Sequence, residues 1–350
     1  MKDRCWDVFC ESSVEAYSSD GLSRLECYKL QIVLGDENVK KEILYEIKAI
    51  YRDDFRVSGY RFGKGKHAVC IMGSLRGNEY QQIFVCSQLI QKLKILEEKG
   101  RIIEGNEILV IPCGNPYSVN TQKRFWTIDN TDINRMFPGY DLGETTQRIA
   151  GGIFEKIKDY VYGIQFSSFY MPGDFVPQVR MMKTGAENVS LAKKFGLPYV
   201  VLHNPRPFDT TTLNYNWQLW ETNAFSIYTT STKEIDKKSS KQAVDSILNF
   251  LSKEGIIAYK GYEGYISRVV ESKNFVDVRT THAGFFEQCA NAGEKVEKGD
   301  VLAVITAPYT GDVLQEIIAP VTGIVAFAHN ETLAYQNTAV YKLIPKEDEL

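Results

Sequence analysis

The chain has no apolar run as long as the roughly 18 residues that a bilayer-crossing helix requires, so no helical span is expected. It has no excess of one charge either. Lys and Arg (41) nearly balance Asp and Glu (44), leaving a formal charge of -3. Without a basic excess there is no bulk electrostatic hold on nucleic acid or an anionic membrane, and neither is expected as a partner. The seven cysteines, Cys5, Cys10, Cys27, Cys70, Cys86, Cys113 and Cys289, are odd in number and never form a C-x-x-C pair. That argues against a disulfide framework and against a zinc ribbon. Histidine is scarce: only His67, His203, His282 and His329 occur, each alone in its stretch of sequence. Met1-Lys2-Asp3-Arg4 is not followed by the apolar core of a signal peptide, so the expected compartment is the cytoplasm.

What is present is an ordinary globular composition, 44% hydrophobic and 24% charged. A length of 350 residues suits two domains, or one large domain with an appendage. After mixed residues with a turn at 18–21, the alternation over residues 28–34 predicts a strand, and the spacing over 38–49 predicts a helix. Residues 55–60 read as a strand, 63–66 as a hairpin turn, and His67-Ala68-Val69-Cys70-Ile71-Met72 as a buried strand. Gly73-Ser74-Leu75-Arg76-Gly77-Asn78-Glu79-Tyr80 follows it and opens a helix running to about Glu98. Strand, glycine-bearing turn and helix is the arrangement in which α/β proteins hold ligands, at a strand's carboxyl end. Further strands over 108–112, 162–166, 197–202 and 224–229 alternate with helices over 147–160, 190–195 and 243–251. This predicts a mixed, mostly parallel sheet covered by helices on both faces, in an α/β domain over residues 1–260. From about residue 266 short strands and glycine turns replace helices, predicting an all-β domain over 261–350.

The long loop after the 108–112 strand carries Asn115-Pro116, then Arg124, then Asp132-Ile133-Asn134-Arg135-Met136-Phe137-Pro138-Gly139. This resembles the N-P…R…D-L-N-R-x-F-P-G signature of the succinylglutamate desuccinylase/aspartoacylase family, zinc amidohydrolases of carboxypeptidase-like fold. The resemblance covers residues 55–345, with Thr145, Arg148 and Ala150 where the family's next helix starts. It implies that Asn134 and Arg135 hold a substrate carboxylate, with Arg124 assisting. A planar guanidinium beside an amide on a tight Phe-Pro-Gly turn suits that task, because arginine grips carboxylates bidentately. The competing expectation is an arginine paired with Asp132 or Asp129 only to fix the loop.

The metal half of the resemblance fails. The family places zinc on H-G-x-E, and this chain has Arg76-Gly77-Asn78-Glu79. Arginine has no lone pair for a cation. The family's second zinc histidine aligns with Ser167, and its catalytic glutamate with Tyr228. Glu79 alone cannot supply the three ligands zinc needs. The expectation is an Arg76–Glu79 ion pair in place of the metal, so that Arg76, Arg124, Asn134 and Arg135 bind a small carboxylate-bearing ligand such as an N-acyl amino acid. No cofactor is then expected. The chain would act as a pseudoenzyme, or as a non-catalytic subunit in a homo-oligomer or beside an active paralogue. The alternative is a working metal-dependent amidohydrolase or esterase. Its zinc would sit on Glu79 and His203, with Asp174 or Cys113, since His203 follows a strand and is placed at the ligand end of the sheet. Ser167 or Cys113 as a metal-free nucleophile lacks a histidine base beside it in sequence. The C-terminal residues 293–300 and 319–325 resemble the glycine turns of a lipoyl/biotinyl-like barrel, but Thr306-Ala307-Pro308-Tyr309-Thr310-Gly311-Asp312 offers no lysine for cofactor attachment.

Overall fold

The structure, a computed structural model, describes residues 40–50, 53–169, 171–261 and 263–346. The turn at 18–21, the strand at 28–34 and Cys5, Cys10 and Cys27 lie outside the described residues. The first ten strands are β1 (Lys40–Ile47), β2 (Phe55–Gly63), β3 (Gly65–Ser74), β4 (Gly105–Cys113), β5 (Tyr162–Phe166), β6 (Asp174–Phe175), β7 (Gln178–Met182), β8 (Tyr199–His203), β9 (Asn223–Tyr228) and β10 (Arg268–Glu271). All but β6 form one nine-stranded sheet in the order β1-β2-β4-β3-β5-β9-β7-β8-β10. The central β4, β3, β5 and β9 are mutually parallel. β7 runs antiparallel to β9, and β8 and β10 run parallel to β7.

The sheet is mixed with a parallel centre, as the alternation of strands and helices predicts. The central strands read as continuous apolar runs because both faces are covered. Val69, Cys70, Ile71 and Met72 are fully buried, as are Ile108, Leu109, Val110 and Ile111. The helices are α1 (Tyr80–Glu98), α2 (Pro116–Asn120), α3 (Thr145–Ile157), α4 (Val189–Lys193), α5 (Leu213–Leu219) and α6 (Lys237–Lys253). α1 buries Val85, Leu89 and Leu93, and α6 is preceded by Asp236, whose carboxylate accepts from the Lys238 and Ser239 N–H groups. That is a standard N-cap, satisfying donors that have no partner inside the helix.

Two local expectations are overturned. Of the segment 38–49, the described residues 40–49 are not helical: β1 occupies Lys40–Ile47 and pairs antiparallel with β2, with a bulge between Ile43 and Tyr45. Leu44 is buried and Ile43 is 54% exposed, so a strand uses one face of this segment, and the bulge blurs its two-residue period. Nor does residue 63–66 make a hairpin. β4 lies between β2 and β3, so the tight turn joins strands that do not pair.

The remaining strands are β11 (Val276–Arg279), β12 (Gly284–Gln288), β13 (Lys295–Val296), β14 (Val301–Thr306), β15 (Val313–Ile318), β16 (Gly323–Ala328), β17 (Leu333–Ala334) and β18 (Ala339–Pro345). They form two antiparallel sheets, β11-β18-β16-β13 and β15-β14-β12-β17, and β6 pairs with β16 at the edge of the first. Leu302, Ile305, Val325, Val340 and Tyr341 fill the core between them. The β14–β15 turn carries Tyr309, fully exposed, where a carrier domain presents its lysine.

Candidate functional site

β3, β4, β5 and β9 all end at the same edge of the sheet, and the turns that leave them build a polar corner. Gly77 makes the β3 turn possible. A Cβ there would lie 2.3 Å from the Lys123 carbonyl oxygen and from Ser118 backbone, so no other residue fits against the loop. The Gly77 N–H donates to the Arg124 carbonyl at 3.1 Å, tying the two arginine-bearing segments together. Gly139 plays a similar part in the Phe-Pro-Gly turn. It adopts φ +95°, and a Cβ would stand 2.0 Å from the Gly151 nitrogen on α3.

Arg76 lies at the centre of the corner, buried. Its Nε and Nη2 donate to Asp132 Oδ2 at 3.1 and 2.8 Å, and its Nη1 donates to Glu79 Oε1 at 3.2 Å and to Ser168 Oγ at 3.3 Å. The Ser168 hydroxyl in turn donates to Glu79 Oε1. Burial opposes the Arg76 charge, but Asp132 and Glu79 outweigh it and push the guanidinium pKa above its ordinary value. The expected Arg76–Glu79 pair is therefore present, and Asp132 completes it. The hydroxyl at the corner belongs to Ser168 and not to Ser167, which the spacing singled out. β5 ends at Phe166, and Ser167 N–H donates to the Ile227 carbonyl, so the next residue is the one that turns inward.

Arg124 stands beside Arg76. Its Nη2 donates to Ser168 Oγ at 3.3 Å and to the Phe169 carbonyl at 2.7 Å. Burial and the neighbouring Arg76 charge lower its pKa. Among the described residues no carboxylate lies within ion-pair distance of it. Asn134 is buried, and its Oδ1 accepts from Gln165 Nε2 at 3.1 Å and from the Leu213 N–H at 3.3 Å. Arg135 points elsewhere. Its Nη1 donates to Asp209 Oδ1 at 3.1 Å and to the Phe208 carbonyl, and its guanidinium sits 5.3 Å from the Phe208 ring centre. The structure thus brings Arg76 and Arg124 onto one serine, and turns Arg135 toward Asp209 instead.

Tyr228 is buried in an aromatic cluster, 5.2 Å from Phe175 between ring centres, with Phe327 beside them. The aligned catalytic position is therefore part of a hydrophobic contact between β9, β6 and β16. His203 does not lie at the ligand end of the sheet. β8 runs opposite to β3, β4, β5 and β9, so its carboxyl end faces the edge from which those strands start. Its ring bonds Asp209 and Ser272, not Glu79. Asp174 accepts from Asn330 at 3.1 Å, and burial with Glu234 and Asp236 nearby raises its pKa. Cys113 is close enough to Glu79 to feel its charge, but burial first, then that charge, pushes the thiol up to about 12, so it stays protonated.

Around Glu79 stand a guanidinium without a lone pair, one hydroxyl and the Cys113 thiol, and no three His, Cys, Asp or Glu side chains converge among the described residues. The residues present do not fit zinc. Sequence reasoning missed Ser168, Asp209 and Ser272. Only Ser168 left a signal, as the neighbour of an aligned position.

The family model for the succinylglutamate desuccinylase/aspartoacylase catalytic domain matches residues 66–253. A curated relative, the N-alpha-acetyl-L-2,4-diaminobutyric acid deacetylase of Halomonas elongata, is 24% identical over 265 residues, 69% of this chain and 70% of the relative. Among solved structures, a succinylglutamate desuccinylase from Silicibacter sp. superposes with a TM-score of 0.75 at 18% identity, covering 88% of this chain and 95% of that one. The product-bound ectoine utilization protein EutE (DoeB) of Ruegeria pomeroyi gives a TM-score of 0.71 at 20% identity, covering 89% and 96%. These structures share the fold. The chain belongs to the succinylglutamate desuccinylase/aspartoacylase family.

Proposed function

We propose that this member of the succinylglutamate desuccinylase/aspartoacylase family has replaced its zinc by Arg76 and binds a small carboxylate-bearing ligand at the corner without hydrolysing it. One contrast carries the proposal. Arg76 is satisfied by Glu79 and Asp132, while Arg124, on the same serine, has no carboxylate partner among the described residues. A half-buried guanidinium in that state favours an incoming anion, because the ligand's carboxylate offsets both its burial and the repulsion from Arg76. Asn134, fixed by Gln165, sets the wall of the site, while Arg135 is turned away to Asp209 and takes no part in it. The Halomonas relative is named for an N-acetylated amino acid, so N-acyl amino acids are the first class to try. The alternative, zinc held by Glu79 and His203, is disfavoured by the opposed directions of β3 and β8.

Calorimetric titration with a panel of N-acetyl amino acids tests the proposal. Binding without release of acetate is expected, weakened by about 10- to 100-fold in Arg124→Ala, as for loss of one charge-assisted contact. Binding that is indifferent to Arg124→Ala, or acetate release that tracks bound metal, would sink it.

A further inference from the structure

A separate constellation lies at the far end of the sheet. β8 and β10 are parallel neighbours with Leu202 opposite Glu271, so His203, the last residue of β8, and Ser272, the first after β10, stand side by side. Ser272 Oγ is 3.1 Å from His203 Nδ1, and His203 Nε2 is 3.2 Å from Asp209 Oδ2. Asp209 also accepts from the Arg206 N–H at 2.9 Å and from Arg135 at 3.1 Å. Burial would raise the Asp209 pKa, but these donors outweigh it and hold the carboxylate ionised. Burial, with Arg180 and Arg206 nearby, keeps the imidazole neutral. A carboxylate at Nε2 fixes the ring proton there and leaves the Nδ1 lone pair for the serine hydroxyl. Nucleophile, base and orienting group are then all within hydrogen-bond reach, the relation that activates serine for acyl transfer.

Next to this row opens a cleft of about 400 Å³, lined by Glu271 and Lys273, the residues before and after Ser272 in sequence, and not by Ser272 or His203 themselves. Leu202, Val270, Phe275 and Ile344 give it an apolar wall. We propose that Ser272, His203 and Asp209 form a second, metal-free acyl-transfer site that accepts small carboxylic esters with a short apolar acyl group. Ser272 Oγ bonds to the ester carbonyl carbon as its proton passes to His203 Nδ1. The bond to the alcohol oxygen breaks, and the alcohol leaves with that proton. Water then attacks the acyl-serine, giving a proton to His203, and the acid departs as Ser272 Oγ takes that proton back. Asp209 stays ionised throughout and holds the ring.

The full chain treated with a fluorophosphonate, with adducts mapped by peptide mass spectrometry, tests this directly. A single adduct on Ser272 is expected, together with p-nitrophenyl butyrate hydrolysis that disappears in Ser272→Ala. Labelling should slow by about 100-fold or more in His203→Gln, the usual worth of a positioned base. Ser272→Ala removes one half-buried hydroxyl, so its unfolding temperature should match the parent and the comparison holds even if His203→Gln does not fold. No adduct on Ser272, or ester hydrolysis undiminished in Ser272→Ala, overturns the proposal. Ser272→Ala should leave N-acetyl amino acid binding at Arg124 unchanged, so failure here is distinct from failure at the corner.

Discussion

Arg76 and Glu79 stand three residues apart on one turn and meet at 3.2 Å, with side-chain exposures of 8% and 2%. Neither charge can remain there alone. Breaking a buried pair by removing one partner leaves an uncompensated charge, which costs far more than the pair contributes while intact. Asp132 adds a second carboxylate at 2.8 Å, so the guanidinium joins the β3 turn to the Asp132–Gly139 loop. The cation is structural as well as electrostatic.

Arg76→Ala should therefore destabilise the fold by about 3–5 kcal/mol, read from urea denaturation. The double variant Arg76→Met with Glu79→Gln should recover part of that loss, since neither residue is then charged. A single-variant loss below about 1 kcal/mol, the range of an exposed ion pair, would contradict this.

Arg76 and Ser168 both touch the Glu79 carboxylate. Replacing both by histidine supplies two nitrogens and one carboxylate, a ligand set that zinc accepts. Arg76→His with Ser168→His should take up about one equivalent of zinc, measured by elemental analysis. Arg76→His with Ser167→His should not, because Ser167 is not the residue in the corner.

Tyr228 packs on Phe175, with Phe327 beside it. Tyr228→Ala should cost about 3–5 kcal/mol, as for other large-to-small aromatic changes in cores. Tyr228→Glu should cost more, because it places a carboxylate among aromatic rings with no cation assigned to it. Thermal unfolding of both variants checks the order, and an equal or smaller loss for the glutamate would refute it.

Acid should weaken the fold in two steps. The His203 pKa is lowered in the folded state, so below the ordinary histidine value of about 6.5 the unfolded chain binds a proton that the folded one refuses. Asp209 is lowered too, so below about 3.9 the same holds for its carboxyl. In both windows the unfolded state binds more protons, and stability falls as pH falls. Unfolding temperatures between pH 7 and 5 should decline, and His203→Gln should flatten that part of the curve.

The corner was largely legible in sequence because its parts lie in two short, rigid segments. Arg76 and Glu79 share a turn, and the loop octet brings Asp132 with it. The buried strands were legible for the same local reason, each being a continuous apolar run. What escaped depended on pairing between distant segments. β1 looked helical until its antiparallel partner and bulge were visible. His203 was placed at the wrong edge because a strand's direction is set by its neighbours, and β7 reverses the sheet. Ser272 could not be linked to His203 at all, since 69 residues separate them and only the β8–β10 register joins them. Arg135 looked like a free clamp because Asp209, its partner, is 74 residues away.

Zinc content bears most directly on the claim that Arg76 has taken the metal's place. The chain would be expressed with zinc in the medium, purified without chelator and analysed for bound metal. Far less than one equivalent is expected, with N-acetyl amino acid binding unchanged by added chelator. One equivalent of zinc per chain, lost in Glu79→Ala, would contradict it.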